Sequence, residues 1–445
     1  MTDTPVALLI NPPIYDFALF DLFLKPYGLL RIGACLASAG YKISFVDALD
    51  HRDELSSSIL GAPRRNDNGT GKFHRWKVPF PGEVAIEHRR YARYGVVAQS
   101  LDHQISDVQP DIVLISSGMT YWYPGIVEVV RMVRCRHANA PIIVGGIYAS
   151  LLAEHCKNTT GADFVIHGNA WPELPNILDK LGLPVPSHQP SSEVLSLPNV
   201  WRNAGIIRLN KGCPLRCRYC ASELLFSGFA QGNAKSTFNV LRNQATHCNI
   251  RNFAFYDDAL LFQKEDEFHK LLDLIIKAKL GISLYVPNAL HIRFMDGRTA
   301  RLMKTAGFKE VRFGFESVSD DFHKNYDGKV ARNEYPEVVE ILRAAGFRGG
   351  EIITYILAGL PGQYAEDVED TVRFVTSIGV RGSIAEYSPV PGTELWSQSV
   401  AVSKYPLDED PLYHNNSIHA LEWSGFTVAD MSRLKQLTHD LSPRM

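Results

Sequence analysis

The run Asn210-Lys-Gly-Cys213-Pro-Leu-Arg-Cys217-Arg-Tyr-Cys220-Ala221 places three cysteines at a Cys-x3-Cys-x2-Cys spacing near the middle of a 445-residue chain. Iron–sulfur cubes are held by cysteine thiolates, normally four of them. A compact trio without a fourth cysteine nearby would leave one iron without a protein ligand. An open coordination position marks a reactive site rather than a structural one. The same trio, completed by a distant His or Cys, would also suit a zinc ion. The run follows an apolar stretch at 206–209 that reads as a strand, which puts the cysteines on a loop at a strand's carboxyl end.

On the C-terminal side of this loop, further strands are expected at 253–256, 283–286, 310–315, 351–357 and 382–387. Helical stretches at 265–278, 298–306, 337–345 and 365–378 lie between them. With the strand before the cysteines, the six βα units predict a partial (β/α)6 TIM-like barrel over residues 204–397, with its chemistry on the loops after the strands. On the N-terminal side, strands are expected at 6–10, 43–46, 111–117, 141–144 and 164–167, with helices at 29–39 and 124–137. This alternation predicts an α/β, doubly wound parallel sheet of Rossmann-like type over residues 1–182, which binds ligands at the strands' carboxyl ends.

Residues 50–104 form a polar and aromatic insertion containing Arg64, Arg65, His74, Arg75 and Trp76. Its length predicts a functional lid or a partly helical insert. The segment 183–203 holds Pro184, Pro186, Pro190, Ser191, Ser192 and Pro198 and reads as a linker. Residues 398–445 read as a short helical tail. Substrate contacts are expected from the insertion, the tail and the run Pro411-Leu-Tyr-His414-Asn415-Asn416.

Composition narrows the function classes. Apolar residues make up 45% and charged residues 21%, as in a soluble globular protein. A formal net charge of −2 gives no global attraction to nucleic acid or anionic membrane, so nucleic acid is not an expected partner. There is no apolar run of about 18 residues to span a membrane. The N-terminus reads as a first strand, not a signal peptide. The seven cysteines form no disulfide-like framework, and a thiolate-held cluster needs a reducing compartment, so a cytoplasmic location is expected. Cys35, Cys135, Cys156 and Cys248 are expected to pack as small buried hydrophobes.

The cysteine spacing, with Tyr219 just before the last Cys, resembles the signature of the radical S-adenosylmethionine (SAM) superfamily. The resemblance extends over residues 204–397. Tyr256-Asp257-Asp258-Ala259, after the second barrel strand, resembles the motif that binds the SAM amino group. Arg312-Phe-Gly-Phe-Glu316-Ser317 resembles a Gly-x-Glu-Ser motif near the SAM ribose or methionine moiety. Tyr355-Ile-Leu-Ala-Gly359-Leu-Pro-Gly362-Gln363 resembles a Gly-Leu-Pro-Gly-Glu turn, with Gln363 replacing the usual Glu. Pro391-Gly392-Thr393 is like another turn of these barrels. The resemblance implies a [4Fe–4S] cluster on Cys213, Cys217 and Cys220, with Tyr219, Tyr256, Asp257, Asp258, Glu316, Ser317 and Gly359 around SAM. Asp257 and Asp258 could equally serve as helix caps, and Glu316 as a strand-end carboxylate paired with a Lys or Arg. Arg293 could clamp a carboxylate or be a surface residue.

The N-terminal region resembles the cobalamin-binding domains of radical SAM enzymes. The resemblance rests on Asn11-Pro12-Pro13, Tyr27-Gly28-Leu29-Leu30, Ser116-Ser117-Gly118 and Gly145-Gly146. It implies that Asn11, Ser116, Ser117, Gly145 and Gly146 meet cobalamin, with Tyr121 and Trp122 approaching the corrin or filling an interdomain contact. The Asp-x-His-x-x-Gly motif that supplies an axial His elsewhere is absent. His167-Gly168-Asn169-Ala170-Trp171-Pro172-Glu173 stands where relatives often show Gly-Glu-x-Glu. Methylthiotransferases, a competing subgroup, carry a second cluster on three N-terminal cysteines. Here Cys35, Cys135 and Cys156 fall on separate helices.

Together these resemblances imply an enzyme that reductively cleaves SAM to a 5′-deoxyadenosyl radical and methylates an unactivated carbon of a small-molecule or lipid-like substrate. A flavodoxin- or ferredoxin-type protein would donate the low-potential electron. The alternatives are a non-methylating rearrangement or cyclisation, a SAM-only enzyme with a vestigial cobalamin domain, and a non-enzymatic iron–sulfur redox or sensor module.

Overall fold

A computed structural model of the chain describes residues 4–86, 89–188, 194–195 and 204–443. Of the expected linker, residues 189–193 and 196–203 lie outside the described residues. The chain divides into two compact units. One comprises Met1–Arg202 with Asp410–Tyr413, and the other Asn203–Glu409 with His414–Met445.

The first unit is built on strands β1 (Val6–Asn11), β2 (Ile14–Asp16), β3 (Lys42–Asp47), β4 (Arg75–Lys77), β5 (Ala92–Tyr94), β6 (Ile112–Ser117), β7 (Ile142–Gly146) and β8 (Phe164–Ile166). Ala7, Leu8, Leu9 and Ile10 are fully buried. A continuous apolar run of this kind suits a strand covered on both faces. The main sheet has the order β3-β1-β6-β7-β8 and is parallel throughout. Helices Tyr27–Ser38 and Tyr123–Arg136 follow β1 and β6. The register pairs Asn11 with Asp47, Ser116 with Gly145 and Ser117 with Gly146. All of these lie on the carboxyl edge. Strand order reverses between β1 and β6, the position where such sheets open a ligand crevice.

The 50–104 insertion is partly helical, as expected, and it also carries strands. It supplies β4 and β5, which join β2 in an antiparallel sheet of order β2-β5-β4. The helix Glu54–Leu60 lies within it, and the helix Ala98–Ser106 is the crossover that leads into β6. Ile14, Leu49, Phe73, Ala92 and Tyr94 make its core. The strands are three residues long, too short for a two-residue period to show in the sequence. Asp410–Tyr413 belongs to this unit. Val84 donates its backbone N–H to the Tyr413 hydroxyl at 2.7 Å, and the Phe80 ring meets Tyr413 edge-on.

The second unit holds β9 (Gly205–Ile207), β10 (Asn252–Phe255), β11 (Ser283–Tyr285), β12 (Val311–Glu316), β13 (Ile352–Ala358) and β14 (Arg381–Glu386). They form two parallel runs, β11-β10-β9 and β12-β13-β14. The runs are linked by isolated parallel bridges, Leu284–Phe308 and Leu290–Phe313. Pro287, which has no N–H to donate, stands where β11 stops pairing. Helices Phe268–Ala278, Gly297–Ala306, Glu334–Ala344 and Ala365–Ser377 lie between strands, as the apolar periodicity predicts. In the tail, the helix Val428–Leu441 begins with a Thr427–Asp430 capping box, and Ser442 Oγ accepts the Gly382 N–H of β14 at 3.0 Å.

Candidate functional site

The cysteine loop leaves β9 and is fixed by its neighbours. Asp257, after β10, accepts the N–H groups of Leu209 at 3.0 Å and Asn210 at 2.5 Å, one on each carboxylate oxygen. Lys211 and Ala230 exchange backbone hydrogen bonds. Gly212 has φ +73° and faces Gly228, whose carbonyl oxygen a Cβ would meet at 2.1 Å, so only glycine fits there. On the far side of the loop, Arg218 N donates to the Tyr326 carbonyl at 2.9 Å, and the Tyr219 hydroxyl donates to Asp327 Oδ2 at 2.9 Å. His323 closes that anchor. Its Nδ1 lies 2.8 Å from Asp327 Oδ1 and its Nε2 2.7 Å from the Ser317 carbonyl.

Burial pushes up the thiols of Cys213, Cys217 and Cys220, that of Cys217 to about 12, and each also feels Lys329. Cys217 senses both other sulfurs. Lys329 Nζ bonds Glu316 Oε1 at 2.9 Å and lies 5.2 Å from the Tyr219 ring centroid. Burial works against its charge, but Glu316, Cys217 and Asp327 outweigh burial and hold its pKa above the ordinary lysine value. His291 brings Nε2 to 3.8 Å from Cys213 Sγ. Burial, with Lys329 next in weight, lowers its pKa to about 4. Among the described residues, no three His, Cys, Asp or Glu side chains converge closely enough to hold a single metal ion. Three thiols on one loop, those of Cys213 and Cys217 half-buried and that of Cys220 at the surface, all feeling one ammonium, fit a multi-iron cluster. Metal binding would make them thiolates, and Lys329 is placed to offset that charge.

The other expected SAM contacts divide. Asp257 braces the cysteine loop through both oxygens, and burial raises its pKa to about 7 against those two bonds. It acts on the chain's own backbone rather than presenting a free carboxylate. Asp258 is raised by burial and feels Arg208. Tyr256 N donates to the Ile207 carbonyl, tying β10 to β9. Glu316 pairs with Lys329 and has φ +64°, just after a register shift in β12. Ser317 Oγ accepts the Ser319 N–H at 3.1 Å. Gly359 has φ +90°. Gln363 closes its turn, with Oε1 accepting from Gly359 at 2.8 Å and Nε2 donating to the Leu357 carbonyl at 3.0 Å.

Arg293 is exposed. His414 is buried, with Nε2 2.8 Å from the Leu407 carbonyl. A small hollow lies past the ends of β13 and β14, lined by Gly359, Glu386, Tyr387, His419, Phe426 and Met431. The tail residues in it, like Lys329, His291, His323 and Asp327, carry no motif that the sequence reading could use.

In the first unit, Asn11 Nδ2 donates to Asp47 Oδ1 at 2.7 Å, and its Oδ1 accepts from Ser116 Oγ at 3.1 Å. Ser117 Oγ accepts the Ala149 N–H. Gly146 has φ +117°, and a Cβ there would meet the Ser117 carbonyl oxygen at 2.3 Å. Gly145 has open space, since its Cβ would find only Ile166, at 3.9 Å. Met119, just after β6, and Ile147, the first residue of the short helix Ile147–Leu151 after β7, are 43% and 37% exposed. This edge suits a broad, partly apolar ligand. Trp122 is committed elsewhere, its Nε1 donating to Asp16 Oδ2 at 2.7 Å, whereas Tyr121 is buried beside it. Of the remaining cysteines, Cys35 and Cys156 are buried and Cys248 is half-buried. Cys135 is exposed, because the last turn of its helix points outward.

Sequence comparisons match residues 207–375 to the radical SAM superfamily and residues 90–178 to the B12 binding domain. An uncharacterized methyltransferase of Pyrococcus horikoshii is 22% identical over 242 residues, covering 53% of this chain and 48% of that protein. A tRNA-2-methylthio-N(6)-dimethylallyladenosine synthase of Endomicrobium trichonymphae is 23% identical over 218 residues, 47% of this chain and 50% of that protein. The chain thus spans about half the length of these curated relatives. The radical SAM methyltransferase TsrM of Kitasatospora setae, solved with cobalamin and a [4Fe–4S] cluster, shares the fold at a TM-score of 0.68 and 15% identity, over 97% of this chain and 91% of that one. The cobalamin-dependent enzyme OxsB matches at 0.59 and 13%, over 98% of this chain and 61% of that one. The chain carries a radical SAM domain, with a B12-binding domain on its N-terminal side.

Proposed function

We propose that the chain is a cobalamin-dependent radical SAM enzyme that methylates a carbon of a small-molecule or lipid-like substrate. The observation that carries this reading is the trio Cys213, Cys217 and Cys220 on the loop after β9, each sulfur feeling the ammonium of Lys329. TsrM and OxsB, which share the fold, are described as a methyltransferase and as a cobalamin-dependent enzyme. When bound, the cluster and SAM supply one-electron cleavage of a sulfonium, and cobalamin supplies a methyl carrier.

The chain's own residues bind and orient. The three thiolates hold the cluster, and Asp257 keeps their loop in register with β10. Lys329 offsets negative charge gathered at the sulfurs, and Glu316 fixes its position. The turn closed by Gln363 keeps Gly359 backbone open to a flat ring. On the first unit, Asn11, Ser116, Ser117, Gly145 and Gly146 form the edge that would seat cobalamin, beside Met119 and Ile147. Electrons would come from a flavodoxin- or ferredoxin-type donor, and the reaction would take place in the cytoplasm.

The test is anaerobic reconstitution with iron, sulfide and hydroxocobalamin, followed by reduction in the presence of SAM. Methyl transfer predicts both 5′-deoxyadenosine and S-adenosylhomocysteine. Deoxyadenosine without S-adenosylhomocysteine would point to a non-methylating reaction. A chain that purifies with zinc at the trio would end the reading.

A further inference from the structure

His291 belongs to no motif that the sequence reading used. It follows β11 in the stretch that bridges to β12 through Leu290 and Phe313. Its side chain is buried, at 7% exposure. Its ring meets Phe294 edge-on with centroids 5.8 Å apart. The stretch is held from the other side by Asn288 Nδ2, which donates to the Asp257 carbonyl at 3.3 Å. Asp257 is also the residue that braces the cysteine loop. The imidazole and Cys213 therefore hang from a common support.

The two ring nitrogens differ in what they meet. Nε2 stands 3.8 Å from Cys213 Sγ, within reach of a hydrogen bond to sulfur. Nδ1 is buried and has no hydrogen-bond partner. Were the proton on Nδ1, a donor would be stranded and the Nε2 lone pair would face the lone pairs of a thiolate. With the proton on Nε2, an N–H points at the sulfur, and only an acceptor goes unused. Buried donors are left unpaired less often than acceptors. The tautomer with Nε2–H is therefore favoured beside a thiolate.

We propose that His291 is a positioning residue for the cluster, donating Nε2–H to the Cys213 sulfur and so easing the cluster's reduction. The inference rests on the reading of the trio as a cluster site. An N–H···S bond withdraws charge from a ligating sulfur, and hydrogen bonds to the sulfurs help set a cluster's potential. It favours the reduced state, which carries one more negative charge. Lys329, Arg293 and Asp327 also act electrostatically on His291, so the test leaves all three in place.

The reconstituted chain would be titrated without SAM and followed by the EPR signal of the reduced cluster. His291→Leu is expected to shift the midpoint to a more negative potential at unchanged iron and sulfide content. His291→Gln places an amide N–H close to the position of Nε2–H and is expected to move the midpoint back toward wild type. Because the Leu variant could fail to load, the wild-type chain grown on 15N-histidine supplies a second measurement. Pulsed EPR should show a histidine nitrogen coupled to the reduced cluster. A Leu variant at the wild-type potential, a shift that Gln does not restore, or a cluster without such coupling overturns the proposal. Wild-type chain that takes up no iron and sulfide overturns the cluster reading, and this proposal with it.

Discussion

Lys329 and Glu316 form an ion pair, Nζ to Oε1 at 2.9 Å, with side chains 13% and 9% exposed. Removing one partner of such a pair leaves an uncompensated buried charge, at a cost of roughly 3–5 kcal/mol. Lys329→Met should therefore lower the stability of the metal-free chain by that order in urea melts. The double variant Lys329→Met/Glu316→Gln should recover most of the loss. A double variant no more stable than the single one would mean that the pair is not the source.

His323 and Asp327 give the anchor of Tyr219 a pH dependence. Burial opposes the His323 charge, but Asp327 outweighs it and raises the pKa above 6.5. A raised histidine contributes stability that is complete below its unfolded value and is lost as pH rises through the folded one. Burial likewise opposes the Asp327 charge, which His323 and Lys329 restore, so its pKa is lowered. Subtracting the stability of His323→Gln from that of wild type removes the other histidines. The difference should hold steady on the acid side of about pH 6.5 until Asp327 protonates, and shrink as pH rises above it. A difference that grows with pH would refute the assignment.

The Gln363 amide both accepts from Gly359 and donates to the Leu357 carbonyl. A glutamate there has no proton to donate at neutral pH. Gln363→Glu should cost about 1–3 kcal/mol at pH 7, with part of the loss recovered near pH 4, where the carboxyl protonates. Stability at pH 7 equal to wild type would show that the donated bond is immaterial.

Arg93 is 2% exposed and grips Glu128 with Nε and Nη2, while Nη1 donates to the Val96 carbonyl at 2.6 Å. A lysine offers one point charge in place of this fork. Arg93→Lys should destabilise the N-terminal unit measurably, and Arg93→Met by roughly 3–5 kcal/mol. Chemical denaturation followed by Trp76 fluorescence is a suitable readout, since the guanidinium lies 4.6 Å from that ring's centroid.

Gly145 and Gly146 separate ligand binding from folding. Gly146→Ala would drive its Cβ into the Ser117 carbonyl and should destabilise the unit. Gly145→Ala meets no close atom, so melting should be unchanged. If cobalamin lies on this edge, Gly145→Ala should weaken hydroxocobalamin binding about tenfold, roughly 1.4 kcal/mol, read by visible titration. Unchanged binding would remove Gly145 from the site.

The strands of the parallel sheets and many of the helices between them were legible because each is an apolar run or stripe closed by glycine, proline or aspartate. The cysteine loop was legible because its spacing is local. What escaped depends on distance along the chain. Lys329 reaches Glu316 across 13 residues and His291 reaches Cys213 across 78, and no local pattern records either meeting. Asp257 was found by its motif, yet its task is set by the N–H groups of Leu209 and Asn210, 48 and 47 residues away. The insertion's strands went unread because three residues are too few to show alternation, and the bond from the Trp122 indole to Asp16 because its partner lies on a strand 106 residues earlier.

The chain passes from one unit to the other at residue 203, returns at 410 and leaves again at 414. Tyr413, which fixes Val84, is synthesised more than three hundred residues after that partner. During translation the first unit therefore emerges lacking a piece of itself, and it can complete its packing only once the second unit is almost finished. A nascent chain halted before residue 410 would hold an N-terminal half that is more easily cut by protease at 80–84 than in the released protein.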